Sequence, residues 1–529
     1  MITTSEIVEE LRSVPTIGAL LALRCGEHAD EPFLVWRDEV TTYAEFDEDV
    51  ARVAAALVEL GVGRADRVAV MMANCPDWLA LWFAVVRLGA VVVPINTAHK
   101  SAGLRYLLDH CRPSVLVLDP ERVVHLDEAQ PEHRPGHVLT SVPRSTTTPP
   151  PEPADLGLHS PAAILYTSGT TGPPKGCLLP HGQYLAASFL HADACGYDEH
   201  AVIYTCLPLF HINAQNYTVL SALAAGGTVA LDDRFSASRF WDRLTEVGAT
   251  AFNFIGSMAV SLWNQPVRES EGKHSARVAF GVPLAPEVWE SWEKRFGVRV
   301  VYTYGMTENA LPAIVDARET PVPAGRRGSS GRASPTSEIV IADEHDRPLP
   351  AGEVGQILTR TTIPWTMMTE YLDQPGATVE AFRNGWFHTG DLGYLDADGY
   401  LFFVDRLKDA VRRRGEMVSS WEVETVVSQY PGILDCAMIG VSSELGDDDI
   451  LVVLVTEDPA FDPALLVEFC AERLAHFQVP RYVRRVDDLP KTQTQRVEKY
   501  RLRRDGLLPG DWDAGPRRPP RRDPDRRSG

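Results

Sequence analysis

Apolar positions in the first part of the chain follow two periodicities. Residues 44–60 repeat apolar side chains at helical spacing, and Gly61 follows where a helix C-terminal cap is expected. The runs Val68–Met72 and Ala90–Ile95 are almost entirely apolar, which is typical of buried parallel strands. Two further helices are predicted at residues 77–88 and 102–111, and a further strand is predicted at residues 115–118. Alternating strands and helices predict an α/β fold with a layered sheet.

The alternation continues after a Ser-, Thr- and Pro-rich loop at residues 141–153. Strands are predicted at Ile164–Tyr166, Val202–Cys206, Thr228–Leu231, Ala251–Phe254 and Val298–Tyr302. From about residue 325 to 405, Gly and Pro become denser and the apolar runs shorten, which indicates a β-rich subdomain. A small unit then begins near Asp405. Its predicted helices and strands cover residues 421–429, 437–441, 451–455 and 463–474.

A chain of 529 residues is too long for one compact core. We therefore expect a large N-terminal domain of layered α/β subdomains plus a β-rich subdomain over residues 1–405. A small, mobile α+β C-terminal domain is expected over residues 406–505. Residues 506–529 are expected to form a disordered Arg/Pro-rich tail, because from residue 516 onwards they are almost entirely Arg, Pro and Asp.

Composition and charge restrict the kinds of binding partner that we expect for this protein. The formal net charge is −21, which disfavours general binding of nucleic acid or of anionic membranes, so a phosphate-rich ligand would need a local site. The eight cysteines show no metal-binding spacing. The N-terminus lacks the positive charge of a signal peptide, and no apolar run reaches the roughly 20 residues that span a bilayer. These features predict a cytoplasmic protein.

The segment Tyr166–Gly176 carries the strongest chemical signal. It reads Tyr-Thr-Ser-Gly-Thr-Thr-Gly-Pro-Pro-Lys-Gly directly after a predicted strand. Glycines allow close approach of the backbone to an anion, and hydroxyl and N–H groups donate to phosphate oxygens. Lys175 supplies a positive charge for a polyphosphate. The candidate phosphate-binding residues before it are Thr167, Ser168, Gly169, Thr170, Thr171 and Gly172.

Three further motifs follow in order: Tyr-Gly-Met-Thr-Glu at 304–308, Trp-Phe-His-Thr-Gly-Asp at 386–391, and Asp-Arg-Leu-Lys-Asp at 405–409. With the loop at 166–176, the chain resembles the superfamily of acyl-CoA synthetases, luciferases and nonribosomal adenylation domains, over roughly residues 20–505. Within that superfamily it most resembles carnitine/crotonobetaine-type CoA ligases. The segments behind this closer likeness are residues 207–213, 252–258 and 412–420.

The resemblance implies roles for individual residues. Lys175, Thr307 and Glu308 would act on the phosphates, with Glu308 and Thr170 as ligands of Mg²⁺, which keeps few protein ligands beside substrate phosphates. The nucleotide would contact an aromatic face, a carboxylate for the ribose hydroxyls, and arginines. The residues at those positions are Tyr304, Asp391, Arg406 and Arg412.

The resemblance also implies an acid pocket and a hinge. Lys408 matches the position about which the small domain rotates between two half-reactions. The pocket positions are small or medium-sized and mostly uncharged, which favours a modest, partly apolar substrate; for His211, an ordinary buried histidine is an equal interpretation. These pocket positions are His211, Asn253, Gly256, Gly281 and Gly305.

The chain departs from the family in its C-terminal motif. A stretch that usually reads Pro-Lys-Thr-x-Thr-Gly-Lys is here Pro490–Arg496, with Gln495 in place of glycine and Arg496 in place of the last lysine. That lysine bridges the acid and the α-phosphate in the family. Arginine keeps the charge and can grip a carboxylate with two hydrogen bonds. Arg496 is therefore the predicted catalytic cation, with Lys499 as the alternative.

These expectations define an ATP-dependent, AMP-forming ligase. It would adenylate a small organic acid, release pyrophosphate and pass the acyl group to an acceptor, with CoA as the expected co-substrate and Mg²⁺ as cofactor. A second hypothesis is a diazotase of a natural-product pathway that activates nitrite to diazotise an arylamine. A third is a non-catalytic nucleotide-binding homologue. We expect no nucleic-acid or membrane partner, and homo-oligomerisation stays open.

Overall fold

The computed structural model describes residues 1–148, 154–167, 174–284, 286–318, 324–407, 409–413, 416–442, 448–491 and 497–515. No helix within these ranges is both long enough and apolar enough to cross a membrane. The α-helices are Thr4–Ser13, Ile17–His28, Tyr43–Glu59, Pro76–Arg87, Ser101–Cys111, Val123–Ala129, His181–Cys195, Ser221–Ala225, Phe240–Glu246, Gly256–Trp263, Pro286–Phe296, Pro375–Ala381, Ser420–Ser428, Pro463–Arg473 and Lys499–Asp505.

Two seven-stranded sheets form the centre of the large N-terminal domain. The first contains, in spatial order, Arg299–Val301, Val278–Val282, Ala251–Ile255, Val202–Thr205, Thr228–Leu231, Pro32–Trp36 and Glu39–Thr42. The second contains Glu370–Tyr371, Lys175–Pro180, Pro161–Thr167, Val91–Pro94, Arg67–Met71, Val115–Leu118 and His137–Leu139. Most neighbours pair in parallel, and antiparallel pairs occur at the ends of the sheets.

Helices cover these sheets because their apolar faces need a buried partner. The strands Arg67–Met71, Val91–Pro94 and Val115–Leu118 are almost wholly buried, as their continuous apolar sequences predict. The helix Tyr43–Glu59 begins with a capping box at Thr42 and Glu45, which satisfies backbone donors of its first turn. Gly61 follows the helix with φ +83°, a conformation that glycine adopts without strain.

Short antiparallel sheets complete the large domain between residues 303 and 406. One holds Thr303–Tyr304, Ala313–Ile314 and Arg332–Ala333, and the other holds Ser337–Ala342, Gly355–Thr361, Phe387–Leu395 and Leu401–Arg406. This confirms the β-rich subdomain. Its last two strands meet with Asp391 opposite Arg406, so residues of two separate motifs become neighbours.

The smaller C-terminal domain is built on one mixed sheet with helices against it. Its strands are Ile433–Ser442, Asp448–Thr456, Tyr482–Val486 and Trp512–Asp513, and a separate hairpin pairs Val411–Arg413 with Glu416–Val418. A buried cluster that includes Val423, Val452 and Leu466 forms its core. The fold class predicted from the sequence, a large α/β domain followed by a smaller α+β domain, is confirmed.

The expected tail differs from the structure over its first ten residues. Trp512–Asp513 pairs with Tyr482–Val486, and Arg484 forms an ion pair of 2.6 Å with Asp511. Both ion-pair side chains are less than 10% exposed. Residues 506–515 are therefore part of the small domain, because a strand and a buried ion pair hold them. The rest of the expected tail, residues 516–529, lies outside the described residues.

Candidate active site

The candidate phosphate loop leaves the strand Pro161–Thr167 and returns as Lys175–Pro180. The two strands pair antiparallel with Thr167 opposite Lys175, so the two ends of the segment are held next to each other. The Tyr106 hydroxyl donates to the carbonyl of Pro174 at 2.9 Å, which ties the returning end to a neighbouring helix. Thr167 and Lys175 thus lie side by side where the sequence predicts anion binding.

The side chains of Lys175 and Glu308 converge on Tyr371. The Lys175 Nζ lies 4.6 Å from the centre of the Tyr371 ring, in a cation–π contact. The Tyr371 hydroxyl donates to Glu308 Oε1 at 2.9 Å. Burial, and then the neighbouring Glu308 carboxylate, raises the pKa of Tyr371, so its phenol stays protonated and remains a donor. The structure therefore places the predicted phosphate-binding lysine and the predicted metal ligand around one ring.

Tyr304, Asp391 and Arg406 form a second group. The Tyr304 hydroxyl donates to Asp391 Oδ2 at 2.7 Å, and Arg406 Nε lies 3.9 Å from Asp391 Oδ1. Burial, together with the Asp391 charge, raises the pKa of Tyr304. The Tyr304 ring is only 6% exposed and lies 6.4 Å from the ring of Phe403.

The segment between these groups includes Gly305 and Thr307. The Thr307 carbonyl accepts a hydrogen bond of 2.8 Å from Gln183 Nε2, which ties the segment to a buried helix. A Cβ on Gly305 would come within 2.1 Å of the Ala310 carbonyl oxygen, so only glycine fits there. Tight packing thus fixes the backbone between the aromatic residue and the acidic residue of the motif at 304–308.

Close packing also explains the other two glycines of the predicted pocket. A Cβ on Gly281 would lie 2.2 Å from the Phe254 carbonyl oxygen, and one on Gly256 would lie 2.8 Å from Pro283 Cδ. Paired strands bring Gly281 opposite Phe254. Their glycine identity therefore follows from close packing alone, and their place in an acid pocket stays a prediction.

Asn253 contacts an unusual helix, and His211 precedes the same helix in the sequence. Asn213–Leu220 is a π-helix, a form that is frequent at functional sites. Asn253 is fully buried, and its amide nitrogen donates to Asn213 Oδ1 and Thr218 Oγ1, both at 3.0 Å. His211 precedes the π-helix and is partly buried, with its ring 4.7 Å from that of Phe210. Contacts with a substrate stay predictions for both residues.

Several predicted site residues lie outside the part of the chain that the structure describes. These are Ser168, Gly169, Thr170, Thr171, Gly172, Lys408 and Arg496, together with the side chain of Arg412. The residues on either side of the proposed hinge are described. The Asp405 carboxylate accepts from the backbone N–H of Ser420 at 2.5 Å, and Asp409 is paired with Arg503 at 2.5 Å.

Lys499, the alternative catalytic cation, is engaged within the small domain. Its Nζ lies 2.8 Å from Glu424 Oε1 and 2.5 Å from Ser420 Oγ. The Lys499 side chain is only 14% exposed. The ammonium charge is thus compensated by a neighbouring carboxylate in this arrangement.

Tyr371 contacts both Lys175 and Glu308, but the sequence motifs did not identify it. It lies 63 positions after Glu308 in the sequence and belongs to none of the motifs. The short strand Glu370–Tyr371 pairs with Lys175–Pro180, which brings it to the loop. A two-residue strand has no periodicity to reveal this pairing, so spacing alone gave no signal.

Comparison with known proteins identifies the family of this chain. Residues 21–372 match the family model described as AMP-binding enzyme, and residues 422–496 match that of the AMP-binding enzyme C-terminal domain. The chain is 34% identical over 483 residues to a crotonobetaine/carnitine–CoA ligase of Salmonella paratyphi B, covering 87% of this chain and 93% of the relative.

Solved structures share this fold over most of the chain. ATP-bound MatB from Rhodopseudomonas palustris superposes with a TM-score of 0.82 at 28% identity, covering 92% of this chain and 98% of that one. O-succinylbenzoate coenzyme A synthetase from Bacillus subtilis, in complex with AMP, gives a TM-score of 0.83 at 25% identity, with the same coverage of both chains.

Proposed function

This chain belongs to the AMP-binding enzyme family, and from that premise we propose that it is an ATP-dependent, AMP-forming ligase that converts a small organic acid into its CoA thioester. The observation that carries the proposal is the convergence of Lys175 and Glu308 on Tyr371. Tyr304, from the same motif as Glu308, is hydrogen-bonded to Asp391. A cation, a candidate metal ligand and a ribose acceptor are the groups that an adenylating site requires.

In the first half-reaction, a carboxylate oxygen of the acid attacks the α-phosphorus of ATP and pyrophosphate leaves. Negative charge on the phosphates is offset by Lys175, with Thr307 as a hydrogen-bond donor to the α-phosphate. Asp391 and Arg406 hold the ribose beside Tyr304. We assign Arg496 to the attacking carboxylate, where its planar fork suits two oxygens.

Glu308 fits the role of a magnesium ligand. Among the described residues no group of three or more His, Cys, Asp or Glu side chains could hold a metal ion. One carboxylate is nevertheless enough, because Mg²⁺ is usually held by one or two carboxylates plus substrate phosphates. When bound, the ion neutralises phosphate charge. Thr170 is the second ligand that we propose from the sequence.

In the second half-reaction, the CoA thiol displaces AMP from the acyl adenylate. Two reactions in one cleft call for two arrangements of the small domain, and we propose that it turns about Lys408. Support for CoA as the acceptor comes from the names of the relatives: a crotonobetaine/carnitine–CoA ligase and a coenzyme A synthetase. We place the enzyme in the cytoplasm on the sequence features given above.

The test is the mass of the product formed from ATP and a panel of small acids, with and without CoA. The panel includes carnitine and crotonobetaine because of the relatives' names. The proposal expects acid-dependent pyrophosphate release and a thioester only when CoA is present. AMP formation that depends on nitrite and ignores CoA, with a diazo product from an arylamine, would instead identify a diazotase. Nucleotide binding without any turnover would identify a non-catalytic homologue.

A further inference from the structure

Tyr371 touches two candidate catalytic side chains of opposite charge. Its hydroxyl donates to Glu308 Oε1 at 2.9 Å, and its ring lies 4.6 Å from Lys175 Nζ. The tyrosine is 6% exposed, so little solvent competes for either contact. Among the contacts of the described residues, the two charged groups share this phenol rather than an ion pair with each other.

The backbone around Tyr371 is tied to both neighbours. Its strand pairs with the strand of Lys175, and the N–H of Leu372 donates to the Gly176 carbonyl at 2.8 Å. The N–H of Met368, just before that strand, donates to the Glu308 carbonyl at 2.9 Å. The Tyr371 N–H itself donates to Thr378 Oγ1 at 3.0 Å. Rigid attachment on each side fixes where the phenol points.

We propose that Tyr371 is a positioning residue that sets Lys175 and Glu308 for the metal complex of ATP, an inference that rests on the proposed function. The hydroxyl donates to Glu308 Oε1 and so fixes the orientation of the carboxylate that would hold the metal. The ring steadies the ammonium without cancelling its charge, because an aromatic face is a weak and neutral partner. Lys175 thus remains available to a polyphosphate.

The two contacts can be separated by substitution. Tyr371→Phe keeps the ring beside Lys175 and removes the hydrogen bond to Glu308. Tyr371→Leu removes both contacts. If Tyr371 only filled space, the two substitutions would not affect metal binding and nucleotide binding differently. In the proposed role, the hydroxyl of Tyr371 acts on metal binding and its ring acts on nucleotide binding.

The experiment measures binding of Mn²⁺ to the protein–ATP complex by electron paramagnetic resonance, and binding of ATP with a chelator present by calorimetry. For Tyr371→Phe we expect Mn²⁺ affinity to fall about 10-fold, as for other residues that orient metal ligands, while metal-free ATP affinity stays within about 2-fold. For Tyr371→Leu we expect a similar loss for Mn²⁺ and a further loss of about 3-fold for metal-free ATP.

Two controls test whether the loss of Mn²⁺ affinity comes from the hydrogen bond between Tyr371 and Glu308. Tyr204→Phe removes another tyrosine–carboxylate hydrogen bond, that to Asp232 Oδ2 at 3.0 Å, and should change neither affinity. In a Glu308→Gln background, adding Tyr371→Phe should weaken Mn²⁺ binding no further, because the hydroxyl acts through that carboxylate.

The inference is overturned if Tyr371→Phe binds Mn²⁺ within about 2-fold of the native protein, since removing a group that orients a metal ligand should cost more. It is also overturned if Phe and Leu weaken metal-free ATP binding equally. Acid-dependent pyrophosphate release by the native protein is measured in parallel. If that release is absent while Mn²⁺ and ATP bind, the proposed function fails and the binding data still decide the role of Tyr371. If the native protein binds no nucleotide, both fall.

Discussion

Two lysines of the candidate site, Lys175 and Lys499, lie in opposite environments. The Lys175 ammonium, in the large domain, faces the Tyr371 ring at 4.6 Å. The Lys499 ammonium, in the small domain, lies 2.8 Å from a Glu424 oxygen and 2.5 Å from Ser420 Oγ. The first keeps its charge for an incoming anion, whereas the second has a carboxylate partner already.

This difference shows that proximity to a catalytic motif does not by itself make a lysine catalytic. A cation–π contact contributes about 0.5–2 kcal/mol and leaves the ammonium able to bind phosphate. A partly buried ion pair is costly to break, because separation leaves a poorly solvated carboxylate behind. Lys175 therefore fits a role in chemistry, and Lys499 fits a role in holding its domain together.

The largest effect should come from Lys175→Ala. Pyrophosphate release in the presence of acid should fall by about 100-fold or more, because a charged contact to the phosphates is lost in the transition state. The melting temperature should hardly change, since the lost contact is to a ring that remains buried. Lys273→Ala is the matched control, because Lys273 is exposed and forms an ion pair with exposed Glu269. A rate close to native in the Lys175 variant would remove the loop from the site.

Arg496→Ala should have the next largest effect, about 10–100-fold on adenylation. Its proposed partners, the acid and the α-phosphate, meet only in the first half-reaction. Transfer from a preformed acyl adenylate to CoA should therefore continue at nearly the native rate. Equal loss in both half-reactions, or loss in transfer alone, would show that the arginine does not replace the usual lysine.

Lys499→Ala should affect stability rather than chemistry. Removing the partner of Glu424 should lower the free energy of unfolding by about 1–3 kcal/mol, measured by denaturant titration. Adenylation at a temperature where the variant is folded should stay within about 3-fold of native, since the ammonium is already paired.

Lys491→Ala is the control for this variant, because its ion pair with Asp435 is more exposed, at 30% and 32%. It should cost less than about 1 kcal/mol. A selective loss of adenylation in Lys499→Ala, with stability preserved, would make Lys499 the catalytic cation and reverse the comparison between the two lysines.

Much of the fold was predictable because its elements have strong local patterns. The amphipathic helix Tyr43–Glu59 and the apolar strand Val115–Leu118 lie within a residue of their predicted bounds. The helix His181–Cys195 was missed because nearly all its side chains are buried, so no polar face marks its period. The π-helix Asn213–Leu220 was missed for the same reason.

For the candidate site, too, the local sequence predicted some features and missed others. Lys175, Glu308 and Asp391 were predicted because each belongs to a contiguous motif. Their mutual contacts were not, since strand pairing between distant segments decides them: Asp391 faces Arg406 across one sheet, and Tyr371 reaches the phosphate loop across another. Local sequence specifies which groups are present, and long-range register specifies which of them meet.

The smallest effect concerns the end of the small domain, where truncation tests how far the domain extends. Removing residues 516–529 should change neither the melting temperature nor the rate, because Arg, Pro and Asp cannot build an apolar contact. Truncation after Asp505 is the matched comparison. It also removes Trp512–Asp513 and Asp511, the buried partner of Arg484, and should destabilise the domain by about 3 kcal/mol or more. Equal stability of the two truncated chains would show that the strand and the ion pair contribute nothing, whereas a loss on removing 516–529 alone would show that those residues bind the protein.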